Sequence, residues 1–326
     1  AEKEFAPAQF ELASLYARGR GVGRDDRVAG SWLHRAAGQG HVMAQYNLAA
    51  LYGEGRGVPQ SDREAALWYT RAAEQGLARA QGSLGYLYWQ GRGVPRDEVL
   101  AGEWFRKAAA QGYSEAEYNL GVMYATGAGV PKDPTQAAVW YRKAAEHGDT
   151  AAAAALAVAL VQGQGVPRDP ASAVDWFRKA AEQGNADAAM GLGILYAEGR
   201  GVGRDPVAAV AWLRKAAEAG NTGARVRIGQ MLLESDASSL GERIEAVKWL
   251  HKAATQGDGV GQYWLGFAYL KGLGVQKSRS VARRWLRKAA AQGVPMARTA
   301  LSELEKTPSE SGTGETRMVP PARTSE

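Results

Sequence analysis

The stretch LYAEGRGVGRDP (Leu195–Pro206) combines glycines, arginines and an aspartate, so it is the segment in which nucleotide chemistry would first be sought. The backbone N–H groups of a glycine loop can cradle phosphate oxygens, but such loops follow a buried β-strand and usually end in GK[ST] or GxGxxG. Here helical spacing precedes the turn, no Lys-Ser/Thr follows, and acids stand where phosphates would bind. The sequence therefore favours a turn between two helices over a phosphate site.

Other side chains that carry chemistry form no recognisable site. The histidines His34, His41, His147 and His251 lack the spacing of a zinc site, and no GxSxG or SxxK nucleophile motif occurs. The absence of cysteine excludes disulfides and thiolate chemistry. We therefore predict a non-enzymatic protein without cofactor or metal; a catalytic carboxylate pair across a groove is the least favoured alternative.

Tryptophan reveals the period that organises the chain. Eight of the ten tryptophans occupy one position in eight successive copies, 36 or 37 residues apart: Trp32, Trp68, Trp104, Trp140, Trp176, Trp212, Trp249 and Trp285. Self-similarity at such a period is typical of a repeat array.

Each copy contains two helical patterns separated by the glycine turn. In AQYNLAALYGEGRGVPQSDREAALWYTRAAEQG (residues 44–76), Ala44, Leu48 and Leu51 share one helical face. In the second half Ala65 and Trp68 share another, and the terminal glycine can stop the helix in a left-handed conformation.

A helix-start signal follows most of the turns. A capping residue occurs there at Asp25, Ser61, Asp97, Asp133, Asp169 and Asp205. The next residue is an acid or proline, which suits the first helical position. Ser61 and Glu64 have the spacing of a capping box.

These features resemble the Sel-one-like repeat (SLR) family, a relative of the tetratricopeptide (TPR) repeat. Its signature is A-x-x-x-L-G-x-x-Y-x-x-G-x-G-V followed by A-x-x-W-x-x-K-A-A-x-Q-G, and residues 116–148 match it almost completely. The resemblance implies an all-α, right-handed α-α solenoid of stacked helix pairs that acts as a scaffold or adaptor. One branch of the family carries a cysteine pair in each repeat; this chain has none, so properties particular to that branch are not carried over.

The predicted solenoid covers residues 1–306. Its eight helix-turn-helix repeats are near 8–40, 44–76, 80–112, 116–148, 152–184, 188–220, 224–257 and 261–293. Repeat seven departs from the pattern because LLESDASSLGERIEA (Leu232–Ala246) replaces the glycine turn. Residues 294–306 are expected to form a closing helix that covers the last apolar face, and the polar tail 307–326 is expected to be disordered.

If the first helices of the repeats line a concave groove, that groove is largely apolar and aromatic. We predict a protein, peptide or helix site there, formed by Tyr46, Tyr86, Trp89, Tyr118, Val122, Ile194, Tyr263, Trp264 and Phe267. For single tyrosines, packing within the core is the competing interpretation. Trp89 and Trp264 lie outside the tryptophan position and are the strongest individual candidates, although either could fill a gap between helices.

Repeat five carries an alanine-rich first helix, DTAAAAALAVALVQ (Asp149–Gln162). Two interpretations are open. The small side chains can let adjacent helices approach closely, or they can leave room for a bulky side chain of a partner.

The net charge of +6 is concentrated near the C-terminus. The residues of this basic patch are Lys277, Arg279, Arg283, Arg284, Arg287 and Lys288. Binding of an anionic polymer or acidic partner there is the alternative function, although nucleic acid is not favoured. A solvated helix face, matching the Arg/Lys pairs of other repeats, also explains it.

No apolar run approaches the ~18 residues that span a bilayer. The chain begins AEKEF, without methionine or an apolar leader core, so any signal peptide would already be removed. With the family resemblance, this leads us to expect a bacterial periplasm or cell envelope; the cytoplasm is the alternative.

Overall fold

The computed structural model describes residues 5–306, and this part of the chain contains seventeen α-helices and no β-strand. The predicted all-α architecture of helix pairs is confirmed. The helices are α1 (Ala6–Arg18), α2 (Asp26–Gly38), α3 (Val42–Glu54), α4 (Asp62–Glu74), α5 (Ala78–Gln90), α6 (Glu98–Ala109), α7 (Ser114–Thr126), α8 (Pro134–Glu146), α9 (Thr150–Gln162), α10 (Pro170–Glu182), α11 (Ala186–Glu198), α12 (Pro206–Glu218), α13 (Thr222–Glu234), α14 (Leu240–Thr255), α15 (Gly259–Lys271), α16 (Arg279–Ala291) and α17 (Pro295–Lys306). The predicted tail, 307–326, lies outside the described residues.

We call α1, α3 and the further odd-numbered helices to α15 the first helices, and α2 to α16 the second helices. Each first helix packs against the second helix of its own repeat and against the second helix before it, within each of two compact units. The first unit, Ala1–Gly220, contains α1–α12; the second, Asn221–Glu326, contains α13–α17. Fully buried leucines at one position of successive first helices, such as Leu48, Leu84 and Leu120, form the core.

Second helices start where the sequence predicted. At all six predicted caps the side chain accepts a backbone N–H from the first turn; Asp97, for example, accepts from Leu100 at 2.9 Å. The predicted capping box is only half formed: Ser61 accepts from Glu64, but its own N–H donates to the Tyr52 carbonyl at 2.9 Å. That amide is therefore not available to the Glu64 carboxylate.

From repeat two to repeat six, the glycine turns make close backbone contacts with the preceding repeat. Gly55 ends α3 with a φ of 69°, a left-handed conformation that glycine adopts without strain. Two residues later, a Cβ on Gly57 would lie 2.0 Å from the Asp26 carbonyl oxygen of the preceding repeat. The turn thus brings successive repeats into backbone contact, in agreement with its interpretation as a connection between helices.

Repeat seven and the closing helix show how the second unit differs. Repeat seven has no glycine turn, and relative to Trp249 its α14 starts three residues earlier than the other second helices do. Helix α14 begins with a complete capping box: the Ser239 N–H donates to the Glu242 carboxylate, and the Glu242 N–H donates to the Ser239 hydroxyl. This box was not predicted from the sequence. The closing helix α17 forms as predicted, with Ala297 and Leu304 buried, and Arg279 donates to the Leu304 carbonyl at 2.9 Å.

Buried amides connect neighbouring repeats. Gln45 of α3 is 4% exposed, donates to the Ala37 carbonyl of the previous repeat at 3.2 Å, and accepts from Gln75 at the end of α4 at 2.7 Å. The same glutamine rung recurs at Gln81 and Gln262. These bonds satisfy polar groups that would otherwise be costly to bury.

A cation lies over every tryptophan of the repeat position. The cation–ring distances run from 3.9 Å, for Lys107 over Trp104, to 5.2 Å, for Lys179 over Trp176. A cation on an aromatic face stabilises the pair by about 0.5–1 kcal/mol where exposed. The recurring basic residues before Ala-Ala therefore have a structural role in every repeat.

Candidate functional site

The predicted groove residues of the first unit lie on neighbouring first helices. Tyr118 on α7 and Ile194 on α11 are half-buried and come from the first helices before and after α9. Both line a pocket of about 440 Å³. Helix α9 supplies the small side chains of this α9–α11 pocket, including Ala154 and Ala155. The complete lining is Tyr118, Ala151, Ala154, Ala155, Val158, Val161, Gln162, Phe177, Asn185, Asp187, Met190, Gly191, Ile194, Leu195 and Arg200.

The pocket lies where repeat five has a small side chain and repeats two, four and eight have tyrosine. Ala154 occupies the position of Tyr46 and Tyr118. The rings of those tyrosines lie beside the tyrosine of their own second helix, and the Tyr118–Tyr141 centroids are 5.9 Å apart. An alanine leaves that volume empty. Of the two interpretations of the alanine run, the geometry favours room for a partner's side chain.

The ring of Phe177 forms the inner wall of the pocket. Phe105 packs over Gly85 of its own first helix, where a Cβ would lie 2.9 Å from the ring. Repeat five has Ala157 at that glycine position, and Phe177 lies instead over Gly191 of the next repeat, where a Cβ would be 2.6 Å away. Because Ala157 stands at the position of Gly85 and Gly191 is small, the Phe177 ring lies against Gly191 and forms part of the pocket lining.

A second pocket lies on the other side of α9. This α8–α9 pocket has a volume of about 430 Å³ and includes Tyr141 and Lys132. It shares Ala155 and Val158 with the α9–α11 pocket, and Val158 is 42% exposed. The two pockets therefore form one apolar surface that crosses α9 and can take more than one side chain.

Carboxylates lie at the amino-terminal ends of three successive first helices; Asp187 lines the α9–α11 pocket, and Glu115 accepts from the Tyr113 hydroxyl at 2.6 Å. Glu115 lies in the first turn of α7, Asp149 caps α9 by accepting from Ala152 at 2.8 Å, and Asp187 lies in the first turn of α11. We call these three residues the acidic edge. They also stabilise the helix ends that carry them.

The charge of the acidic edge reaches the pocket wall. Burial raises the pKa of the Tyr118 hydroxyl above its ordinary value, and the charges of Asp149 and Asp187 raise it further. Burial raises the pKa of Tyr141 to about 12, with a smaller contribution from Tyr118. Both tyrosines are therefore neutral hydrogen-bond donors at physiological pH.

The guanidinium of Arg200 lies at the opposite end of the α9–α11 pocket. In repeats two and three the equivalent Arg56 and Arg92 reach back to Asp26 and Asp62, at 3.3 and 2.7 Å. Pro170 replaces that aspartate before repeat six, and Arg200 pairs with the neighbouring Glu198 at 3.1 Å. The nearby carboxylate offsets the positive charge of Arg200.

Four predicted groove residues of the first unit lie outside both pockets. Tyr46 packs against Tyr69 with ring centroids 5.5 Å apart, and Trp89 packs edge-on against Phe105 at 6.0 Å. Tyr86 is 42% exposed, and its hydroxyl accepts from Gln90. The fourth, Val122, is half-buried on α7.

The predicted residues of the second unit form a closed cluster. Trp264 is only 7% exposed, and the ring centroids of Tyr263, Trp264 and Phe267 lie 5.3–6.3 Å apart. Trp264 therefore fills space between side chains instead of presenting an anchor, which was the competing interpretation of this residue. We leave it out of the candidate surface.

The basic patch is partly engaged within the second unit. Lys288 lies 4.7 Å from the ring centroid of Trp285, in the same arrangement as the equivalent cation in the other repeats. Arg284 lies 5.9 Å from the same ring centroid. Arg279 donates to α17, and Arg283 is half-buried. Lys277 and Arg287 are exposed, so binding of an acidic partner there stays a prediction.

The alanine run of α9 was recognised in the sequence as possible room for a partner, but Asp187, Met190 and Gly191 were not predicted as site residues. Ala154, Ala155 and Gly191 contribute by what they lack, and Met190 and Asp187 line the pocket because of their helix positions. The sequence signal for this site was small residues at two positions. Repeats two and four carry tyrosine at the position of Ala154, and asparagine at the position of Ala155 and Gly191.

Within residues 5–306 no cluster of three or more histidine, aspartate or glutamate side chains could hold a metal ion. No helix in the same range is both long and apolar enough to cross a bilayer.

Comparison with known proteins adds the family. The Sel1 repeat model matches residues 6–41, 42–77, 78–113, 114–149, 150–185, 186–221, 224–258 and 259–294. A Sel1 repeat protein of Oxalobacter formigenes is 33% identical, with a TM-score of 0.68 over 92% of this chain and 86% of that chain. The protein c5321, described as a protective antigen of uropathogenic Escherichia coli with an SLR fold, is 31% identical, with a TM-score of 0.61 over 92% of this chain and 79% of that one.

A curated relative matches over a short segment only. Chitin synthase regulatory factor 3 of Schizosaccharomyces pombe is 44% identical over 59 residues, which are 18% of this chain and 6% of that protein.

Proposed function

Because the chain belongs to the Sel1 repeat family, whose members generally serve as non-enzymatic protein-interaction scaffolds, we propose that it binds a peptide or helical segment of a partner protein on the apolar surface that crosses α9. The α9–α11 pocket receives the anchoring side chain. The observation that carries this proposal is the open apolar pocket at repeat five, where Ala154 and Leu160 replace Tyr118 and Tyr124 of repeat four.

The size of the pocket suits this role. A volume of about 440 Å³ exceeds that of one large side chain and lies within the range of ligand pockets. Its lining combines alanine, valine and isoleucine with the polar residues Tyr118, Gln162 and Asn185. Apolar burial would supply the affinity, and the few polar groups would fix the register of the bound segment.

The packed helices around the pocket favour binding at low entropic cost. Phe177 is 4% exposed and Leu195 2%, so two of the walls are fixed before a partner arrives. A preformed pocket spends little of its interaction energy on ordering its own side chains.

The test is a random peptide library displayed on phage and selected on the full chain, with two tryptophan variants for comparison. Ala155→Trp fills the space shared by both pockets. The fold accommodates a tryptophan at that helix position, since Trp264 occupies it in repeat eight. Val139→Trp, on the 42%-exposed Val139 of α8, is the matched control.

We expect selected peptides to bind the wild type and Val139→Trp equally and to lose about tenfold or more in affinity on Ala155→Trp, the effect typical of blocking a central anchor. Equal binding to all three proteins, or a selection that yields no binder, would overturn the proposal. Binding that is instead lost on Arg287→Glu would move the partner site to the basic patch.

For location, we propose the periplasm or cell envelope of a bacterium, with the cytoplasm as the alternative. The similar proteins of Oxalobacter and Escherichia support a bacterial source. Immunodetection of the protein in periplasmic, membrane and cytosolic fractions of the source cell decides between the compartments.

A further inference from the structure

Two carboxylates, Asp149 and Asp187, lie close to the Tyr118 wall of the α9–α11 pocket, and their charge narrows the class of partner. Resting on the proposed function, we infer that the bound segment carries a lysine or arginine beside its bulky apolar anchor. The anchor enters the α9–α11 pocket and the cation faces the acidic edge. The partner is thus a basic-apolar peptide segment.

The acidic edge coincides with the pocket along the chain. Repeats four, five and six each place a carboxylate at the start of the first helix, as Glu115, Asp149 and Asp187. At the position of Asp149, repeats two and three have His41 and Leu77. At the position of Glu115 and Asp187, they have Met43 and Arg79. Repeats two and three therefore lack these carboxylates. Repeat eight has one at the same cap, Asp258 of α15, so a run of three successive carboxylates is particular to repeats four to six.

The opposite end of the pocket does not reverse this balance. The one cation in the lining, Arg200, has the Glu198 carboxylate 3.1 Å away. Two of the edge carboxylates lie close enough to Tyr118 to disfavour a negative charge on its hydroxyl. A cation brought to the same place by a partner would be stabilised by the same field.

Removing one edge charge without disturbing the helix is possible at Asp149. Its side chain caps α9, and asparagine performs the same task at α11 and α13, where Asn185 and Asn221 accept backbone N–H groups at 2.8 and 2.7 Å. Asp149→Asn therefore keeps the cap and removes the charge. Asp97→Asn makes the same change at the start of α6 and serves as the control.

The experiment uses peptides obtained in the phage selection, synthesised with a fluorophore, each beside an analogue in which its lysine or arginine is replaced by norleucine. We expect the selected sequences to contain lysine or arginine within two residues of an aromatic or large aliphatic residue. Affinity for the basic peptide should fall about two- to fivefold on Asp149→Asn, as for a partly exposed ion pair. It should not change on Asp97→Asn, and raising the salt concentration should weaken it.

The norleucine analogue should bind the wild type and Asp149→Asn equally. Peptides that depend on Ala155 but are neutral or acidic, or basic peptides insensitive to Asp149→Asn, would overturn the charge inference while the proposed function stands. Peptides insensitive to Ala155→Trp overturn the proposed function itself, and the charge inference with it.

Discussion

Repeat five and repeat eight carry opposite side chains at the same three positions of the first helix. Ala154, Ala155 and Val158 leave open space in repeat five, whereas Tyr263, Trp264 and Phe267 close it in repeat eight. The backbone is the same helix of 13 residues in both cases. One scaffold position can therefore serve as a pocket or as core, and the volume of the side chains decides which.

The largest loss of stability is expected when a side chain of the aromatic cluster in repeat eight is removed. Trp264→Ala removes a large ring that is only 7% exposed, so the loss of burial and the resulting cavity should lower the free energy of unfolding by about 3–5 kcal/mol. Urea denaturation followed by circular dichroism measures it. Trp89→Ala, at the half-buried Trp89, should cost less. A loss below about 1 kcal/mol for Trp264→Ala would show that the aromatic cluster is not part of the core.

The converse change closes the open repeat. Ala155→Trp should weaken binding of the selected peptides about tenfold or more. It should change the free energy of unfolding by less than about 1 kcal/mol, because the added ring enters empty space and not a packed core. Fluorescence anisotropy and urea denaturation measure the two quantities separately. A large loss of stability would show that α9 is already packed as tightly as α15.

The tyrosines of the two regions should differ at alkaline pH. The pKa of Tyr141 is raised to about 12, mainly by burial, so folded Tyr141 keeps its proton between pH 10 and pH 12 while the unfolded chain releases it. This contribution to stability is complete below pH 10 and is lost as the pH rises through 12. The pKa of Tyr263 is raised in the same direction by burial, then by Glu234 and Glu303.

Urea unfolding at pH 9, 10 and 11 checks this expectation. Tyr141→Phe should flatten the decline of stability above pH 10, and Tyr263→Phe should do so to a smaller extent. The exposed Tyr86, substituted by phenylalanine, provides the comparison. A decline as steep in Tyr141→Phe as in the wild type contradicts the assignment.

The smallest loss of stability is expected on removing the cation over the repeat tryptophan, and it should be equal in repeats five and eight. Lys179 lies 5.2 Å from the ring centroid of Trp176, and Lys288 lies 4.7 Å from that of Trp285. Lys179→Met and Lys288→Met should each lower the free energy of unfolding by about 0.5–1 kcal/mol. Unequal losses in denaturation experiments would mean that repeats five and eight differ in their second helices as well.

Local signals allowed most of the fold to be predicted from the sequence. The tryptophan period, the Asp caps and the turn glycines each act within a few residues, so they can be recognised without knowing which helices touch. Ser61 shows the limit of such signals, because the spacing of a capping box was present but its amide was already bonded to Tyr52.

The site depends on contacts between helices and was only partly predictable. Tyr118 and Ile194 were recognised as surface residues of the first helices, yet the pocket between them results from Ala154 and from the place of Phe177 over Gly191. Trp264 was misleading because an aromatic residue outside the repeat pattern can be an anchor or a filler. Only the neighbouring rings of Tyr263 and Phe267 distinguish these roles.

The glutamine rungs have a consequence for how such a chain can evolve. Each rung joins residues 30 positions apart and reaches back to the repeat before, so copying a 36-residue segment adds one complete rung and leaves the others intact. Repeat four breaks this rule with Glu117 and His147, 2.7 Å apart, and repeats five and six have alanine at the position of Gln45. Duplication of an early repeat can therefore lengthen the array without breaking its glutamine bonds. The repeats around the pocket differ from one another at these positions, so they are not interchangeable. The length of the array and the specificity of its pocket can thus evolve separately.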